Sequence, residues 1–185
     1  GAAAVAATLH RAWDGSLTSM DLSQNPIGPE GFSALASACK TGGRLRSLCI
    51  RACCLGDDQA FMLAAGLADS PDTQLTELDI SANGLTELPP EICRVASLRK
   101  LHLRDNNIES LPKELGELKQ LVVLSLAGNR GLSARLSGFS PSGHPPRHPL
   151  RTSYSSCFCH HTPEQSIQFQ LGDTLALSRK YKSTA

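Results

Sequence analysis

Asp79, His102 and Ser125 occupy equivalent places in three successive segments, Leu78-Asp79-Ile80, Leu101-His102-Leu103 and Leu124-Ser125-Leu126. An acid, an imidazole and a hydroxyl on neighbouring strands are the side chains of a hydrolytic triad, with Asp79 orienting His102 and His102 reaching Ser125. The surroundings argue against that chemistry. Ser125 sits on a regular alternating segment, not a strained elbow. No pair of backbone N–H groups is placed to hold an oxyanion, and an open sheet does not exclude water. The sequence therefore predicts no enzyme, with hydrolysis through Asp79, His102 and Ser125 kept as a remote alternative and a plain Asp79 to His102 hydrogen bond expected in its place.

A second candidate is Cys157-Phe158-Cys159-His160-His161, whose thiolates and imidazoles suit zinc. A structural site needs four ligands set tetrahedrally, and here adjacent residues would have to wrap one ion without a second Cys pair. The phosphate-binding G-x-x-x-x-G-K, the dinucleotide G-x-G-x-x-G and the zinc-binding H-E-x-x-H are all absent from the chain. No metal and no other cofactor is expected.

The remaining chemistry is recognition. Side chains pointing out of consecutive strands form columns about 4.8 Å apart from coil to coil. One column reads Ser19, Ser47, Glu77, Lys100, Val123; the next Asp21, Cys49, Asp79, His102, Ser125; the third Ser23, Arg51, Ser81, Arg104, Ala127. All but Ala127 are candidate partner-binding residues. Glu77 is placed to face Lys100, and Arg51 and Arg104 to flank Ser81. A basic spot at Arg51, Lys100 and Arg104 suits acidic side chains or a phosphorylated segment. The competing reading is a set of exposed pairs worth ~0–1 kcal/mol each, kept for solubility.

What must position these columns is a repeated frame. Leu98 to Ile108 spells L-x-x-L-x-L-x-x-N-x-I, and the same phase recurs at Leu17/Met20/Leu22/Asn25/Ile27, Leu45/Leu48/Ile50/Cys53/Leu55, Leu75/Leu78/Ile80/Asn83/Leu85 and Leu121/Leu124/Leu126/Asn129. Leucines 17, 45, 75, 98 and 121 open the frames, so the first two periods are 28 and 30 residues and the next two are 23. Period-two alternation makes each L-x-L a half-buried strand. Asn25, Asn83, Asn106 and Asn129, with Cys53 in the second repeat, stand where the chain turns out of the strand. A short amide there can bond buried backbone groups and build a ladder between coils. One coil cannot bury its own apolar face, so the coils must stack.

This frame resembles the leucine-rich repeat over about residues 17–132. The resemblance implies an α/β solenoid, a horseshoe arc with a parallel concave β-sheet and helices or 3₁₀ turns on the convex side. The two long repeats, with Ala-rich segments at 31–39 and 60–67, are similar to the ribonuclease-inhibitor subtype. The two short ones share I/L-x-x-L-P-x-x-[IL] at Leu85–Ile92 and Ile108–Leu115, like Ras-associated and scaffold leucine-rich proteins. Proline fixes φ and removes a donor, so these repeats should close with a 3₁₀ turn or an extended segment.

The same pattern predicts three segments. Residues 1–16 form the convex helix of a truncated preceding repeat, with Val5, Leu9 and Trp13 on one face. Residues 17–138 form the solenoid of about five repeats, and 139–185 a low-complexity, disordered tail rich in Pro, Ser and His. Within that tail Ile167–Leu171 alternates and is a candidate cap for a last coil that would otherwise expose Leu121, Leu124 and Leu126. A chain opening on Gly1 instead of a methionine points to a fragment or a processed product.

Composition bounds the partner. A net charge of +1, with 41% hydrophobic and 19% charged residues, argues against nucleic acid or a membrane surface as the electrostatic target. Seven cysteines without flanking clusters, no N-x-S/T site, no signal-peptide pattern and no long apolar run favour the cytoplasm. The expected function is a protein-interaction module, binding another protein or peptide in signalling or scaffolding. The main alternative is a sensor or autoinhibitory fragment of a larger nucleotide-switch or Ras-pathway protein.

Overall fold

The computed structural model describes residues 17–40, 44–70 and 72–132. The helix expected before Leu17, the Cys157–His161 cluster, the candidate cap at Ile167–Leu171 and the tail lie outside the described residues.

Each L-x-L segment forms a three-residue strand: β1 (Ser19–Asp21), β2 (Ser47–Cys49), β3 (Glu77–Asp79), β4 (Lys100–His102) and β5 (Val123–Ser125). They pair in parallel in chain order, β1-β2-β3-β4-β5, in one five-stranded sheet. The central residues Met20, Leu48, Leu78, Leu101 and Leu124 are in register and turn into the array. Leu48, Leu78 and Leu101 are fully buried, and their strand neighbours face out.

The other side of each coil is set by its length. The two long repeats have room for full helices, α1 (Gly28–Lys40) and α2 (Asp57–Ala68). The short repeats close with 3₁₀ turns at Pro90–Arg94 and Lys113–Glu117, each preceded by a proline whose φ is already fixed near −60°, Pro89 at −58° and Pro112 at −65°. Phe32, Leu35 and Cys39 of α1 and Ala60, Leu63 and Leu67 of α2 meet the strand leucines in one continuous core. The two helices approach closely at Gly66, where a Cβ would lie 2.4 Å from the Ala36 carbonyl oxygen.

The core is uneven at its ends. Leu17, Met20 and Leu22 of the first coil are only partly buried. At the other end Leu121, Leu124 and Leu126 are 2%, 1% and 3% exposed and Leu132 joins the same core, so the exposure expected of an open last coil does not occur. Every interior leucine or isoleucine so buried contributes about 1.5–3 kcal/mol.

The turn after each strand has one shape. Gln24, Ala52, Ala82, Asp105 and Gly128, each immediately before the ladder residue, have φ of 61°, 53°, 58°, 54° and 81°. Only Gly128 adopts that left-handed conformation without cost, and a side chain there would also meet Asp105 Oδ1 at 2.4 Å. An L-residue in this region costs roughly 1–2 kcal/mol. Ala82→Gly should therefore raise stability by about 1 kcal/mol in urea melts, after the entropy that glycine adds to the unfolded chain is subtracted. A lowered midpoint would mean that the turn carries no such strain.

Candidate functional site

The buried strand centres hold two rows of outward residues on the open face of the sheet. Ser19, Ser47, Glu77, Lys100 and Val123 are in register along one row, and Asp21, Cys49, Asp79, His102 and Ser125 along the next. Glu77 and Lys100 form an ion pair at 3.2 Å. The positive charge of Lys100 is thus already partnered, which removes it from the free basic spot read from the sequence.

His102 does not bond Asp79. Its Nδ1 lies 3.2 Å from Ser125 Oγ, and its Nε2 lies 3.6 Å from Glu77 Oε1. Asp79 instead accepts the Ser81 N–H at 2.9 Å, a local turn that Asp21 repeats with the Ser23 N–H at 2.9 Å. The orienting acid of the supposed triad is thus committed to its own backbone, and the three side chains do not assemble as a relay. The Ser23 hydrogen bonds also hold the Asp21 carboxyl below its ordinary pKa.

The third column divides. Ser23 is half-buried, with its Oγ 2.9 Å from Cys49 Sγ. Ser81, read from the sequence as an outward contact residue, is only 2% exposed. Its hydroxyl accepts the Arg104 N–H at 3.2 Å, so it serves the turn and offers nothing to a partner. Arg51 is exposed and Arg104 half-buried. Two arginines that the column reading passed over, Arg46 and Arg99, are exposed one residue before β2 and β4. Their sequence signal was weak, because the second position of L-x-x-L belongs to neither the alternating strand nor the turn.

Behind the face, the ladder residues join coil to coil. Asn83 Oδ1 accepts the N–H groups of Cys53 and Leu55 at 2.9 and 3.1 Å, and its Nδ2 donates to Ile50 and Ile80 carbonyls, both at 2.9 Å. Asn106 does the same for Asn83 and Leu85 at 3.0 and 3.1 Å, donating to Ile80 and Leu103, both at 3.1 Å. Asn129 accepts the Ile108 N–H at 3.0 Å and donates to Leu103 and Leu126. Asn25 is exposed, and its side-chain amide donates within its own turn, to the Leu22 and Ser23 carbonyls. Cys53 reaches back with its thiol, 3.1 Å from the Leu22 carbonyl.

A family profile described as leucine rich repeat matches residues 73–130, and a second with the same description matches residues 16–36. The fold is that of a leucine-rich-repeat solenoid. A probable serine/threonine-protein kinase, pats1 of Dictyostelium discoideum, is 45% identical over 56 residues, 30% of this chain and 2% of that protein. Leucine-rich repeat-containing protein 10 of Bos taurus is 42% identical over 52 residues, 28% of this chain and 19% of that protein. The chain thus spans less than a fifth of each of these relatives. A solved leucine-rich-repeat protein of Leptospira interrogans has a TM-score of 0.44 and 29% identity over 60% of this chain and 26% of that one.

Within the leucine-rich repeats, burial raises the thiols of Cys39 and Cys93 to about 12, so both stay protonated near neutral pH. Among the described residues no group of three or more His, Cys, Asp or Glu side chains is placed to hold a metal ion. Among them, too, no helix is long and apolar enough to cross a membrane.

Proposed function

We propose that the open face of these leucine-rich repeats binds another protein, as repeats of this class generally do, and that the chain acts as an interaction module in cytoplasmic signalling or scaffolding. The observation that carries this reading is the pair of outward rows held in fixed register by buried strand centres. Side chains fixed in this way lose little freedom on docking, so more of the contact energy appears as affinity.

A steric block tests it without changing charge. Ser47→Trp/Val123→Trp fills one outward row, and Phe61→Ser alters α2, where Phe61 is 51% exposed. With equal circular dichroism and melting, the tryptophan variant should lose at least tenfold of the protein captured from lysate, and Phe61→Ser none. Equal capture by all three proteins would move the binding surface off the sheet.

A second reading, a regulatory segment of a larger nucleotide-switch or Ras-pathway protein, draws support from the identity shared with part of a probable kinase. Flanking coding sequence that contains a phosphate-binding loop would favour it, and flanking sequence without one would count against it.

A further inference from the structure

The open face carries four arginines in a regular arrangement. Arg46 and Arg99 stand one residue before β2 and β4, and Arg51 and Arg104 two residues after them. In each file the intervening coil carries a hydroxyl residue, Thr76 or Ser81. Backbone hydrogen bonds hold the files in line. Thr76 N–H donates to the Arg46 carbonyl and Arg99 N–H to the Thr76 carbonyl, both at 2.8 Å. On the other side Ala52 N–H donates to Ser81 at 3.0 Å and Ala82 N–H to Arg104 at 2.8 Å.

Two strand spacings separate the arginines within a file, about 10 Å, and five residues of extended chain separate the files, roughly 16 Å. The acids between them are already used: Glu77 meets Lys100 and His102, and Asp79 takes the Ser81 N–H. Lys40 and Arg94, on the helical side, both reach Asp69. None of Arg46, Arg51, Arg99 and Arg104 has an ion-pair partner among the described residues. Four unspent guanidiniums thus flank a centre in which Lys100 is paired with Glu77 and Asp79 keeps its charge.

We infer that this frame of arginines receives an extended acidic segment of a partner protein, with carboxylates three residues apart engaging the second and fourth coils. In a polyproline-II segment, with three residues per turn and about 3.1 Å rise per residue, side chains i and i+3 point the same way about 9 Å apart, close to the ~10 Å spacing within a file. Each guanidinium can grip a carboxylate through two parallel N–H bonds. A nucleic acid fits less well, because its evenly spaced phosphates would run over Glu77 and Asp79 between the files. The inference rests on reading the open face as the binding surface.

Fluorescence anisotropy on the full chain tests it, using a labelled peptide with Glu at every third position, its Gln counterpart and labelled oligothymidylate. The Glu peptide should bind, and weaken several-fold between about 50 and 200 mM salt. Replacing Arg46, Arg51, Arg99 and Arg104 together by Gln should lower its affinity at least tenfold, and the two double variants, Arg46→Gln/Arg99→Gln and Arg51→Gln/Arg104→Gln, should show which file carries the segment, while Lys40→Gln/Arg94→Gln leaves it unchanged. Absence of binding, equal binding of the Gln peptide, tighter binding of oligothymidylate, or equal loss in the Lys40/Arg94 variant would each overturn the inference. If the tryptophan block abolishes protein capture while the arginine variants keep full capture, the face binds proteins by other groups, and this inference alone fails.

Discussion

Leu101→Asp abolishes the folded array. Leu101 is fully buried at the centre of β4, in register with Leu78 on one side and Leu124 on the other. The substitution removes a core side chain, costing about 2–5 kcal/mol, and leaves a carboxylate between two coils with no cation to meet it. A buried unpaired charge costs several kcal/mol more, and the sum matches the whole stability of an ordinary domain, about 5–15 kcal/mol. Circular dichroism should show loss of structure in Leu101→Asp, partial destabilisation in Leu101→Ala, and a near-normal melt for Val123→Asp, an outward residue in register with Lys100. A wild-type melt for Leu101→Asp would mean that the strand is shifted by one residue.

Asn106→Ala has the next largest effect. The change deletes one amide that accepts two N–H groups, from Asn83 and Leu85, and donates to the carbonyls of Ile80 and Leu103. Asn106 is 2% exposed, so water does not replace these bonds without opening the turn. The Ile80 and Leu103 carbonyls keep the amides of Asn83 and Asn129, so the two orphaned N–H groups, at about 1–3 kcal/mol each, bring the total to roughly 2–5 kcal/mol. Asn107→Ala, at the exposed neighbour, should cost under about 0.5 kcal/mol. Similar urea midpoints for the two variants would show that the ladder contributes little.

The coil architecture was legible because three local signals reinforce one another along the array: a period-two strand, a polar residue at four of the five turns, and a helix-length or proline-marked return after each of the first four strands. Leu48, Leu78 and Leu101 announce burial by spacing alone, and Pro89 and Pro112 mark where helices give way to 3₁₀ turns. Side-chain partners across coils were less legible. Ser81 shares the spacing of Arg51 and Arg104, but a short hydroxyl can fold onto the turn where a guanidinium cannot. His102 lies beside Asp79 in register, yet Asp79 finds a backbone donor two residues away, and that nearer bond leaves His102 to Ser125 and Glu77. No periodicity distinguishes a carboxylate facing a neighbouring coil from one closing its own turn. Nor did composition reveal that alanine occupies two of the five left-handed turn positions.

Cys53 gives the array a weak seam. A thiol can donate to the Leu22 carbonyl, but it offers no amide oxygen to Asn25 and Ile27, the service that Asn83 and Asn106 perform for the coils before them. The first coil also buries its leucines least. In a stack whose stability is a sum of neighbour contacts, such a seam is where local opening is cheapest. Backbone amides of β1 and its turn should therefore exchange with solvent through opening of the β1–β2 junction, whereas those of β3 and β4 exchange only when the tighter junctions around them part.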